Sequence, residues 1–150
     1  MTTDVLSRNR KSPRALMIAV VLLVAALIAG CGGDGRLSKK EYIDKSNVIQ
    51  ADASKAISKV NPAGGDKAEG AKLVAEIDKA IAKTKALKPP TEWQKPHNKL
   101  VKAMTSMRNA MKAVVDAKPG DAKAITPQVA KISAAQADYN AALSEINSDR

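Results

Sequence analysis

Few residues of this 150-residue chain are equipped for chemistry. There is one thiol, Cys31, and one imidazole, His97. Nucleophilic catalysis needs a hydroxyl or thiol beside a base that a third group orients. One histidine and no G-x-S-x-G turn leave no basis for hydrolase activity, and no enzyme is expected. A di-iron or zinc bundle needs Glu-x-x-His pairs or clustered His and Cys, which a single histidine does not supply. Glu41, Glu69, Glu92 and Glu145 fall near expected helix ends, where a carboxylate caps the helix or complements its dipole. One arrangement is more pointed. His97, Met104 and Met111 are spaced by seven, and Met107 lies beside their stripe. Thioethers with one imidazole suit Cu(I), a soft ion. Methionine at heptad spacing is also ordinary core filler, because its unbranched side chain fits irregular gaps. The heptad fit favours filler. No metal or other cofactor is expected, and a Cu(I) or small-ligand carrier using this stripe is the alternative.

The thiol has a more specific context. Arg8, Arg10, Lys11 and Arg14 precede an uncharged, aliphatic run from Ala15 to Gly30. That order is the one found in secretory signals. The run is sixteen residues by count, about 24 Å of helix at ~1.5 Å per residue. A ~30 Å hydrocarbon core needs roughly 20 residues, so the run is short for a permanent membrane span. Asn9 separates Arg8 from Arg10, so the twin-arginine signal is not met. The run closes on Leu27-Ile28-Ala29-Gly30-Cys31, which resembles a bacterial lipobox. The resemblance implies cleavage between Gly30 and Cys31 and a diacylglyceryl group on the Cys31 sulfur. Small residues there let a membrane-embedded peptidase draw in the backbone. Two acyl chains hold a protein at a bilayer where one holds it only marginally. The expected organisation is a removed signal over 1–30, a lipidated Cys and flexible Gly-rich tether over 31–37, and one domain over 38–150. A signal-anchored protein without lipidation is the alternative.

The elements of that domain follow from punctuation and periodicity. Aromatic residues make up 2%, with no Phe, so the core must be built largely from Ala and aliphatics. Ser38 with Glu41 is a capping box, followed by Tyr42, Ile49, Ala53, Ile57 and Val60 at helical steps. Asn61-Pro62-Ala63-Gly64-Gly65 ends this helix. Asp66 to Glu69 repeats the capping pattern, Val74, Ile77, Ile81 and Thr84 follow, and Pro89-Pro90 stops the second helix. Thr91 to Gln94 is a third capping pattern, but Pro96 means that either the helix starts near Lys95 or Thr91 begins a separate short turn, and a start near Pro96 is favoured. Leu100, Met104, Met107, Met111 and Val114 then form a seam that ends at Lys118-Pro119-Gly120. The last helix is expected from Thr126-Pro127, after a lead-in turn, with Val129, Ile132, Gln136, Tyr139, Leu143 and Ile146 as its heptad face. No strand pattern competes. The fold class is all-α, an up-down-up-down four-helix bundle, with Ala-rich seams that let helices approach closely. Trp93 is expected to plug one end.

Leu37 to Ile43, soon after the Cys and followed by Asn47-Val48-Ile49, resembles the opening of a group of small actinobacterial secreted lipoproteins of unassigned function. The resemblance implies a helical mature part on the outer face of the cell membrane. Such relatives often carry a Cys where this chain has Gln50, so a stapled first helix does not carry over.

The signal holds four of the 25 Lys+Arg and one of the 15 Asp+Glu, which leaves the mature part formally at +7. Between Lys79 and Lys102 the only acid is Glu92. An exported, anchored protein with few Arg and aromatics is not a nucleic-acid binder. The lysine stretch is either a solvated face or one that rests on anionic headgroups or envelope polymers. These expectations converge on a non-catalytic binding or interaction module, held at the membrane, with an envelope protein or anionic polymer as partner.

Overall fold

A computed structural model of the chain describes residues 35–59 and 66–149. The signal over 1–30, the lipobox Leu27 to Cys31, Val60 and the linker over 61–65 lie outside the described residues. Four helices make up the domain: α1 (Lys39–Ile57), α2 (Lys67–Ala86), α3 (Gln94–Asp116) and α4 (Ala122–Asn147). A 3-10 turn, Thr91–Trp93, precedes α3. No strand occurs among the described residues, and the fold is all-α, as periodicity predicts.

Caps explain where the helices begin. The Ser38 hydroxyl accepts from the Glu41 amide at 3.3 Å, and the Glu41 carboxylate accepts from the Ser38 amide at 2.9 Å. This reciprocal box satisfies two amides that the first turn of α1 leaves unpaired. At α2 the Asp66 carboxylate accepts from the Ala68 amide at 2.8 Å. Pro89 and Pro90 cannot continue a helix, and α2 ends at Ala86.

One start falls close to the sequence expectation and one does not. Thr91 makes no side-chain cap but opens the separate short turn that Pro96 allowed for, and α3 begins at Gln94, two residues before Pro96. Pro96 is then the third helical residue, where its missing N–H is one that the first turn leaves unpaired in any case. The Asp121 carboxylate accepts from the Ala124 amide at 3.0 Å, so α4 begins at Ala122 and runs through Thr126 and Pro127. Pro127 sits inside the helix, at the cost of one internal hydrogen bond. Packing along the rest of this 26-residue helix outweighs that loss.

Cross-contacts show that neighbours run antiparallel. Gly70 lies against Val115 and Asp78 pairs with Arg108 across α2 and α3. Lys83 pairs with Asp52 across α1 and α2. Lys99 pairs with Glu145, while residues 117–121 join the opposite ends of α3 and α4. Lys39 with Asp149 and Gln50 with Tyr139 close the ring between α1 and α4.

The α3–α4 seam keeps Leu100 and Ile146 of the predicted one, and its other buried positions are displaced by one residue. Its buried positions are Leu100, Ala103 and Ala110 facing Ala135, Ala142 and Ile146. The four alanines are at most 3% exposed. Met104, Met107 and Met111 are half-buried beside them, Gln136 is exposed, and Val129 is 52% exposed. A larger side chain at the closest approach would force the helix axes apart, so Ala occupies the seam and the bigger apolar residues pack along its flanks.

Candidate functional site

One end of the bundle collects nearly all the aromatic and polar chemistry. Tyr42 lies in the first turn of α1, Trp93 ends the 3-10 turn, His97 lies in the first turn of α3, and Ile146 lies in the last turn of α4. All four are buried. Tyr42 meets Trp93 edge-on, with ring centroids 5.6 Å apart at 69°, and meets His97 at 5.7 Å and 76°. Edge-to-face pairing sets a ring edge on a π face, which favours such geometry over stacking. Leu37, Ile43 and Leu87 close the cluster. Trp93 plugs this end, as its position among prolines suggests. Its indole N–H donates to the Asp149 carboxylate at 2.9 Å. The Lys39 ammonium donates to the same carboxylate at 3.0 Å and lies 5.4 Å from the Trp93 ring centroid. Lys39 and Trp93 together hold the Asp149 carboxyl below its usual range.

His97 is the chemically informative member. Its Nδ1 lies 2.9 Å from the Tyr42 hydroxyl. Ser46, one turn further on, also approaches that hydroxyl but forms no hydrogen bond of acceptable geometry, so His97 is the partner. With the hydroxyl as donor, the imidazole proton resides on Nε2. Burial lowers the His97 pKa and raises that of Tyr42, so both rings are neutral near pH 7. Nε2 has no partner among the described residues.

His97 also lines a cleft of about 570 Å³ at the turn between α2 and α3. Leu87, Pro89 and Val101 supply its apolar wall, and Gln94 and Asn98 supply amides. Arg36, Lys85 and Lys88 supply positive charge, and no carboxylate among the described residues lines it. Arg36 is fixed by donation to the Pro89 carbonyl at 3.0 Å and to Gln94 Oε1 at 2.9 Å. The Leu37 amide donates to the Lys88 carbonyl at 2.8 Å. The chain just ahead of the capping box is therefore docked on the α2–α3 turn.

The structure sorts the lysine stretch. Lys79 pairs with Glu76, Lys83 with Asp52 and Lys99 with Glu145. Lys85, Lys88, Lys95 and Lys102 have no ion pair among the described residues. Lys95 and Lys102 line a second, shallower depression beside Gln94 and Asn98.

The Met/His stripe does not form one feature. His97 belongs to the aromatic cluster, with Nδ1 committed to Tyr42, while the three methionines flank the alanine seam. Among the described residues no three His, Cys, Asp or Glu side chains converge as metal ligands. Glu41 caps α1, while Glu69, Glu92 and Glu145 pair with Lys72, Lys39 and Lys99. Arg36 and Tyr42 carry roles that sequence reasoning did not assign. The Tyr42–His97 pairing spans 55 positions, and no local pattern signals it. No known protein family, curated protein or solved structure matches the chain.

Proposed function

We propose that this is a lipid-anchored module on the outer face of the cell membrane, which binds a ligand or partner and performs no catalysis. The single observation that carries the reading is Leu27-Ile28-Ala29-Gly30-Cys31 directly ahead of a small helical domain. No described helix is long and apolar enough to cross a membrane, and the run from Ala15 to Gly30 lies outside the described residues. The cleft supports binding over catalysis. Its one imidazole has Nδ1 engaged by Tyr42, and among the described residues neither a thiol nor a carboxylate lines it to serve as nucleophile or base.

The test is an intact mass spectrum of the detergent-extracted protein beside Cys31→Ala. A chain starting at Cys31 with added diacylglyceryl mass, absent from the variant, is the expected result. A mass starting at Met1 would replace this reading with a signal-anchored protein.

A further inference from the structure

We infer that α1 presents an interaction surface for a second copy of this chain, on which two α1 helices pair antiparallel with Val48 at their centre. The inference does not depend on the anchor. Three observations carry it.

The first is an open apolar surface. Val48 is 60% exposed, the more open of two large apolar side chains exposed among the described residues. It lines a groove of about 450 Å³ between α1 and the end of α2, together with Ile49, Ala86 and Leu87. Apolar surface of this kind gains from a helix that covers it.

The second is a charge pattern that identifies the occupant. Glu41, Lys45, Val48, Asp52 and Lys55 follow one another at steps of 4, 3, 4 and 3, so they form one stripe along α1. Read against itself in reverse, the stripe sets Glu41 on Lys55, Lys45 on Asp52 and Val48 on Val48. Every charge meets its opposite, and a twofold axis through the two valines repeats each pair. A parallel, in-register pair would instead set like on like at all four charged positions. The stripe therefore specifies direction as well as partner. Lys45 and Asp52 line the same groove as Val48.

The third is that these charges are open to a partner. Lys45 and Lys55 form no ion pair among the described residues, and Lys45 feels only Glu41, one turn back. Asp52 meets Lys83 through Oδ2, which leaves Oδ1 for a partner's lysine. Glu41 caps α1 through Oε2, which leaves Oε1. Lys40 and Asp44, beside the stripe, pair with each other at 2.6 Å and add no net charge to it. Ion pairs at such exposure are individually weak, so the product is a directional, reversible dimer at the small end of specific interfaces.

The test is crosslinking of the full chain, extracted in detergent and returned to phosphatidylcholine vesicles, with a short bis-maleimide. Val48→Cys places a thiol beside the twofold axis. Val129→Cys places one on α4 at a site of similar exposure, 52%. The unsubstituted chain gives the background from Cys31. Val48→Cys is expected to give several-fold more dimer than Val129→Cys. Adding Lys45→Asp or Asp52→Lys alone to Val48→Cys should cut that yield about tenfold, because each sets like charges together on both sides of the axis. Both reversals together should restore it. Circular dichroism shows that each variant keeps its helices.

Equal yields from Val48→Cys and Val129→Cys would overturn the surface, and that comparison alters no charge. A Val48→Cys yield that survives either single reversal would overturn the antiparallel stripe. So would a double reversal that keeps its helices and fails to restore the yield.

Discussion

At the residue scale the Tyr42–His97 pair makes the sharpest demands. Tyr42 is 1% exposed and His97 4%. Truncating Tyr42 to Phe keeps the packing and strands Nδ1 in the core, where an unsatisfied buried group costs about 1–3 kcal/mol. Tyr42→Phe should lower unfolding stability by that amount in urea titrations. Tyr139→Phe loses only the surface hydrogen bond from Gln50 and should stay within about 0.5 kcal/mol of the parent. Equal losses from both would show that the His97 contact contributes nothing special.

The same histidine sets a pH dependence. Its folded pKa is lowered from 6.5 by burial. It faces Tyr42 from α1, and Arg36, Lys85 and Lys88 line the same cleft, with no acid among the described residues there to favour the imidazolium. Below pH 6.5 the unfolded chain therefore binds a proton that the folded chain refuses. Stability is full above that pH, declines as pH falls towards the folded pKa, and levels off beneath it. Carboxylates with lowered pKa, among them Asp78 beside Arg108 and Asp149 beside Lys39, lose their contribution only below their ordinary 3.8. Two separated declines are expected in denaturation midpoints against pH. In His97→Gln the upper one should vanish.

At the element scale, small residues decide how closely helices pack. A Cβ on Gly70 would lie 2.7 and 2.9 Å from the two methyl carbons of Val115. Alanine gains about 1 kcal/mol over glycine in a helix interior, whereas overpacking costs about 1–3 kcal/mol. Valine in a helix has little rotamer freedom to yield. Gly70→Ala should therefore destabilise the protein despite its helix propensity, and in a Val115→Ala background it should stabilise it. A thermal or urea double-mutant cycle reads the change of sign. The same geometry explains what sequence could reveal. The capping box at Ser38 and Glu41, the stop at Pro89 and the four helices are local signals, and local signals were readable. The α3–α4 register was not, because hydrophobicity ranks Met104 and Leu143 above Ala103 and Ala142, and only the distance between axes reverses that order. The start of α4 was misplaced because Thr126-Pro127 imitates a helix start inside a longer helix. The cleft was hidden for a related reason. Lys85 and His97 meet across the turn between α2 and α3, and Arg36 joins them only because residues 36 and 37 dock on that turn.

At the scale of the whole molecule, Arg36 links the domain to its proposed anchor. It touches the Pro89 carbonyl and Gln94, so the chain leaves the domain at the cleft itself. Every residue added between Cys31 and Arg36 therefore changes one quantity, the distance over which the anchor confines the cleft. Twenty inserted Gly/Ser residues would have a root-mean-square span of about 25 Å. Such a linker leaves the domain and the proposed lipid site at Cys31 untouched. If two acyl chains on Cys31 hold the protein at the bilayer, as proposed, membrane retention should not change with the insertion, and vesicle flotation of the two forms reads it. A loss of retention on lengthening the linker would show instead that contacts of the domain itself hold the protein at the surface.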